Sequence, residues 1–354
     1  MCIAVPKKQA ETTLSSAYRL ELVDKTLEIQ RDEDYVYIPL ADQPSDEKLK
    51  SVRENAPRLE LAVRVFKEKE HPASLEELLK DRLPPHMLSA LPRAADFVGD
   101  IAIVELRPGL EDYKKTVGEA ILKAIPRIRT VLAKEGAVAG TYRLRKFSLA
   151  AGEPGTETRH REYGCEFLVD VAKAYFSPRL AHEHDRVASL VREGETVVDL
   201  FAGVGPFAIQ IAKKHDAVKV YAVDVNPEAE EYLKRNIRLN RVNGKVSAIL
   251  GDARQVAKER LSGVADRVIM NLPEKAFEYV DAACETLKNT GGTLHVYTFV
   301  KASESFEDVR NRLTDAVTSC GRRVDGFLFS GRVRETAPHE FQAVFDVKVS
   351  GSDG

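Results

Sequence analysis

The sequence predicts an α/β protein whose C-terminal half is a doubly wound, mostly parallel sheet, preceded by a small α/β domain and a middle α+β domain. Three observations predict it. Apolar strand-like runs alternate with helical periods from about 165 to 354. A Gly-rich turn, Asp199-Leu200-Phe201-Ala202-Gly203-Val204-Gly205, follows the first of these runs. Acidic residues stand at the ends of the next two, Asp224 and Asp252. Ligands of open α/β sheets sit at the carboxyl ends of strands, so these ends mark a candidate site.

The first domain spans 1–68. A helix is expected over 10–20, after Pro6, and short strands over 27–29 and 35–40 around the polar turn Arg31-Asp32-Glu33-Asp34. A further strand is expected over 59–66, and the charged run Lys67-Glu68-Lys69-Glu70-His71-Pro72 reads as a linker.

The second domain spans 73–164. Ser74 caps a helix that begins Leu75-Glu76-Glu77. A buried strand follows over 97–106, a helix over 113–125 and a strand over 128–132. Segments 140–150 and 156–167 flank Gly152-Glu153-Pro154-Gly155 as a long hairpin.

The third domain spans 165–354. Strands are expected over 196–200, 218–224, 246–250, 267–273 and 292–299, then near 323–329 and 341–349. Helices are expected over 207–214, 227–240 and 304–319.

Composition narrows the function classes. At 354 residues, two or three domains are expected. The net charge of -2 excludes a polycation, so nucleic acid could bind only through a local patch. Segment 107–161 supplies one: twelve basic residues against six acidic ones, a local charge of +6. Cys2, Cys165, Cys284 and Cys320 show no close pairing, which gives no zinc or redox motif and fits a reducing cytoplasm. No leader or membrane-length apolar run is read, and neither a membrane nor a metal is expected as partner.

The turn at 199–205 lacks both the G-x-G-x-x-G spacing of dinucleotide sites and the Lys-Ser/Thr of a P-loop, which favours a ligand without phosphates. Asp224 is placed to accept from ribose hydroxyls, since Asn226 serves better as the cap ahead of Pro227. Asp252, followed by Ala253, is placed to accept an adenine amino group. A nucleoside cofactor follows. The fourth strand ends in Asn271-Leu272-Pro273, which is similar to the Asn/Asp-Pro-Pro-aromatic motif of amino-group and RNA methyltransferases but departs from it at Leu272 and Glu274.

The segment Tyr175-Phe176-Ser177-Pro178-Arg179-Leu180-Ala181-His182-Glu183, with Asp199 to Gly205, Asp224-Val225-Asn226-Pro227 and Asn271-Leu272-Pro273, resembles the archaeal and eukaryotic tRNA (guanine37-N1)-methyltransferases. The opening Cys2-Ile3-Ala4-Val5-Pro6 and the stretch Val333-Arg334-Glu335-Thr336-Ala337-Pro338 are similar to that family's ends.

The resemblance implies a Rossmann-like class I methyltransferase with a seven-stranded sheet and S-adenosylmethionine as cofactor. It implies contacts from Tyr175, Asp199, Phe201, Gly203, Val204, Gly205, Asp224, Val225, Asp252, Ala253 and Asn271. Asn271 and Pro273 would lie beside the methyl group. Guanine N1 carries a proton, so transfer needs a base, implied to be Glu183, and a cation at O6. Arg143 is favoured for that cation over Arg145, only one of the two being expected to face the pocket. Arg143, Arg145, Lys146 and Arg179 are the expected RNA contacts, and the first domain would recognise the folded corner of tRNA. His182 and His184 are expected on a helical surface. A monomer is expected. Aminocarboxypropyl transfer, methylation of a tricyclic tRNA base and a non-catalytic RNA-binding module are the competing readings.

Overall fold

The computed structural model describes all residues except 57, 69–73, 93 and 352–354. The linker reading therefore falls largely outside the described residues. The chain forms two compact units, Met1–Ala73 and Ser74–Gly354.

In the first unit four antiparallel strands run in the order Gln30–Arg31, Tyr35–Pro39, Cys2–Pro6, Glu60–Ala62. Ile3, Val5, Val36 and Ile38 form its core with Ala17 and Val52 of two helices, Ala10–Arg19 and Asp46–Asn55. The central strand Cys2–Pro6 was not anticipated, because Cys2 to Val5 are all buried and no alternation marks them.

The second unit opens with a four-stranded sheet ordered Ala95–Val98, Ile101–Val104, Thr130–Ala139, Leu144–Gly152. The helix Lys114–Ala124 buries Val117, Ala120 and Ile121 against it. The expected hairpin around residues 152–155 is corrected here. Leu144–Gly152 pairs backwards with Thr130–Ala139, while Glu157–Glu162 pairs forwards with Cys165–Asp170. The break falls there because Gly152, at φ 89°, ends the first strand and Gly155, at φ 149°, lies outside both.

The large sheet has seven strands. They are β1 (Thr196–Asp199), β2 (Lys219–Asp224), β3 (Val246–Leu250), β4 (Arg267–Met270), β5 (Gly291–Lys301), β6 (Arg323–Ala337) and β7 (Glu340–Ser350). Their order is 3-2-1-4-5-7-6. β1 to β5 are parallel, and β7 runs antiparallel between β5 and β6. Helices cover both faces, giving one core around Val198, Met270 and Val296 and another around Val197, Phe207 and Ile209. The order reverses beside β1, so the carboxyl ends of β1, β2 and β4 open onto a crevice.

Candidate active site

The crevice begins where β1 runs into the turn at 200–205. Gly205 caps the helix Pro206–Lys214 at φ 92°. A Cβ at this position would strike the Leu233 side chain, so glycine is required here by packing. Gly203, at φ 55°, turns its N–H to Asp224 Oδ2 at 2.6 Å. The other oxygen of Asp224 accepts from the Asn226 N–H at 2.9 Å. Asn226 does cap the helix Pro227–Leu239, accepting from Glu228 N–H at 3.1 Å, which leaves Asp224 at the cavity edge as expected.

A cavity at these strand ends gathers most of the expected cofactor residues. Phe201, Gly203, Asp224, Val225, Asp252, Ala253 and Asn271 line it, with Tyr175 and Pro273. Asp252 also caps the helix Ala253–Arg260 through Oδ1, which accepts from the Arg254 and Gln255 N–H groups at 3.0 and 3.2 Å. Tyr279 lines the cavity too, with Phe201 edge-on at 5.1 Å. No sequence signal pointed to Tyr279.

Three residues expected as contacts do not line the cavity. Val204 is fully buried and packs with Val171, Ala229 and Tyr232, so its side chain is core. Gly205 serves helix packing, as above. Asp199 lies beneath the lining, fully buried. Its Oδ1 accepts from Phe201 N–H at 3.3 Å, while Oδ2 has no hydrogen-bond partner among the described residues. Burial pushes its carboxyl up to about 7, and the Asp224 charge adds to the rise. Burial also raises Asp224. Two buried carboxylates that feel each other's charge, one with an orphaned oxygen, favour a cationic ligand. The residues fit S-adenosylmethionine, which bears sulfonium and ammonium charges, better than a phosphate ester.

The far side of the cavity comes from the middle sheet and from β6 and β7. Arg143 lines it, but from the turn at 140–143 rather than from a strand, at φ 55°. Strand periodicity does not separate Arg143 from Arg145, since residues two apart share a face. What selects Arg143 is the turn, which drops its guanidinium to 2.5 Å from Glu274 Oε2. Arg145 instead donates to Gly136 O at 3.2 Å and lines an adjoining groove with Lys134 and Arg179. Arg179 is ion-paired with Asp96 at 2.5 Å, and Lys146 is exposed outside both hollows.

Glu183 is the largest departure from expectation. It does not line the cavity. It is 7% exposed, takes Arg186 Nε at 3.0 Å and accepts from Tyr297 Oη at 2.8 Å. Arg186 continues to Asp346 at 2.6 Å, and Asp346 to His295 at 2.6 Å. Despite the cost of burial, His295 and Arg186 hold the Asp346 carboxyl down to about 2. Burial drives the Tyr297 hydroxyl well above its ordinary range, and the Glu183 charge adds to this. His182 is exposed as expected. His184 is not, being buried with Nδ1 2.8 Å from Glu162 and its ring against Phe207. The helix Ala181–Leu190 packs its Glu183–His184 face inward, a direction that polar residue types conceal.

Arg334 and Gln342 also line the cavity and were missed as site residues. They face each other across β6 and β7, and only an isolated glutamine among apolar neighbours hinted at them.

Comparison with known proteins shows the family. The TRM5/TYW2 methyltransferase domain matches residues 158–325, the TYW2 N-terminal domain 75–156, and the tRNA methyltransferase 5 N-terminal domain 2–48. The chain is similar to the tRNA (guanine(37)-N(1))-methyltransferase Trm5b of Pyrococcus abyssi, at 36% identity over 99% of each chain. The crystal structure of Trm5b from Pyrococcus abyssi superposes with a TM-score of 0.71 at 35% identity, covering 99% of both chains. A Trm5 solved as a complex with a leucine tRNA superposes with a TM-score of 0.68 at 34% identity, covering 98% of this chain and 99% of that one. The chain belongs to the TRM5/TYW2 family of S-adenosylmethionine-dependent tRNA methyltransferases.

Proposed function

We propose that this enzyme methylates N1 of guanine 37 of tRNA, the base 3′ of the anticodon, with Glu183 as base and Arg143 at O6. One observation supports this reading above others. A single cavity joins the carboxylate-lined strand ends to the Arg143 guanidinium and to Asn271-Leu272-Pro273. Nucleoside recognition and a cation for a developing oxyanion therefore share one space.

S-adenosylmethionine supplies an electrophilic methyl group on its sulfonium. Asp224, Asp252, Phe201 and Tyr279 would hold the nucleoside part, and the buried Asp199 would add negative potential to the site. Loss of the N1 proton moves charge to O6, where Arg143 stabilises it. Glu183 takes that proton by exchanging its Tyr297 bond for guanine N1–H. Its sequence neighbour His184 lines the cavity, as does Leu180 one turn before His184. Arg145, Lys146 and Arg179 are read as RNA contacts. We further read the enzyme as a cytoplasmic monomer, the free cysteines fitting a reducing compartment.

Mass spectrometry of nuclease-digested tRNA after reaction tests the activity. The expected product is one N1-methylguanosine per tRNA. An aminocarboxypropyl adduct, a methylated tricyclic base or no modification would each replace this reading.

A further inference from the structure

Arg334 is a donor-only side chain. Its Nε–H points at Gln342 at 2.9 Å, so the Gln342 atom facing it is the carbonyl oxygen. Gln342 is 1% exposed, between Arg334 on β6 and Phe299 on β5, so no water is at hand to satisfy a reversed amide. Its Nε2 then faces Asn271 and donates to Oδ1 at 3.1 Å. Arg334 is itself held by Tyr175 Oη and Ser177 Oγ, both at 2.8 Å. With Oδ1 engaged, Asn271 keeps Nδ2 for the cavity that it lines, and Nδ2 has no partner among the described residues.

We propose that Arg334 and Gln342 are positioning residues that fix the polarity of Asn271, so that the cavity offers the target base an N–H donor and not a carbonyl acceptor. The inference rests on the methyl-transfer reading and deepens it. The Watson–Crick edge of guanine presents the O6 acceptor, which gains charge as N1 loses its proton. The same edge of adenine presents an amine donor. A donor at Asn271 satisfies the first and is left unpaired by the second, a mismatch that costs more than the loss of a contact. One asparagine thereby discriminates purines by a sign set two residues away.

Gln342→Glu tests the sign. Glutamate still accepts from Arg334 but offers Asn271 only an acceptor, so Asn271 turns its Nδ2 outward to it and presents Oδ1 to the cavity. Gln342→Met removes the bond without imposing the reversal. Single-turnover methyl transfer to guanine 37 is expected to fall about 30-fold in Gln342→Glu and about 5-fold in Gln342→Met, as for misplaced and missing hydrogen bonds respectively. Cofactor affinity and tRNA KM are expected to stay near wild type. Asn271→Asp, at a half-buried position, removes the donor without touching the buried pair and is expected to match Gln342→Glu. A Gln342→Glu enzyme no slower than Gln342→Met, or an Asn271→Asp enzyme at the wild-type rate, overturns the polarity relay alone. A wild-type enzyme inactive on guanine 37 overturns the functional reading and the relay with it.

Discussion

The Tyr297 hydroxyl donates to Glu183 Oε2 at 2.8 Å, outside the lining of the cavity. The carboxylate proposed as base is therefore held by a competitor for its lone pair. Glu183→Gln is expected to lower single-turnover transfer by roughly 10²–10⁴-fold while cofactor titration stays unchanged. Tyr297→Phe removes the competitor and is expected to leave that rate intact, at about 1 kcal/mol of stability. A Glu183→Gln enzyme of near-normal rate would mean another group accepts the proton.

Arg143 is paired with Glu274 at the position where the related motif carries an aromatic residue. Arg143→Ala is expected to slow transfer by about 10²–10³-fold, the usual worth of one oxyanion donor. Glu274→Ala frees the guanidinium and is expected to retain the rate. Rapid-quench kinetics on one tRNA preparation compares the two. Equal losses would show that the ion pair acts as a unit.

Asp199 makes stability fall with pH. Its folded carboxyl titrates at about 7, above the ordinary 3.8, so the folded state binds the proton more tightly. The resulting stabilisation is complete below 3.8, is lost as pH rises towards about 7, and is flat above it. Asp199→Asn is expected to be more stable than wild type at pH 8, by a few kcal/mol at most on the order of the shift, and to bind cofactor more weakly. Denaturant midpoints between pH 5 and pH 8 check the slope, and an equal slope in the variant would refute the assignment.

Gly205→Ala should damage the fold before it damages ligand contacts. The added methyl meets Leu233 and Ile209, and φ is 92°. A loss of about 1–3 kcal/mol is expected in urea unfolding. Normal stability with weak cofactor binding would return Gly205 to the ligand.

Much of the catalytic sheet was legible because fully buried parallel strands read as apolar runs. Asp224, Asp252 and Asn271 were found because strand ends define a site by topology alone. Arg334 and Gln342 were invisible because their meaning comes from a strand pairing some seventy residues after Asn271. Glu183 was legible as a residue but not as a place. Its contacts come from Arg186 one turn on and from Tyr297 in β5, and the sequence of the helix Ala181–Leu190 does not show which of its polar faces turns inward. Arg143 lines the cavity from the turn at 140–143, which strand periodicity could not have shown, since residues 143 and 145 would share a strand face.

β7 enters the sheet between two strands that precede it in the chain. During synthesis on the ribosome, β5 therefore waits as an open edge of eleven residues, nearly all destined for burial, until residues 340–350 have emerged. Such an edge invites pairing with other nascent chains. The same late strand brings Gln342, so the enzyme gains its discriminating amide in the step that seals this open edge.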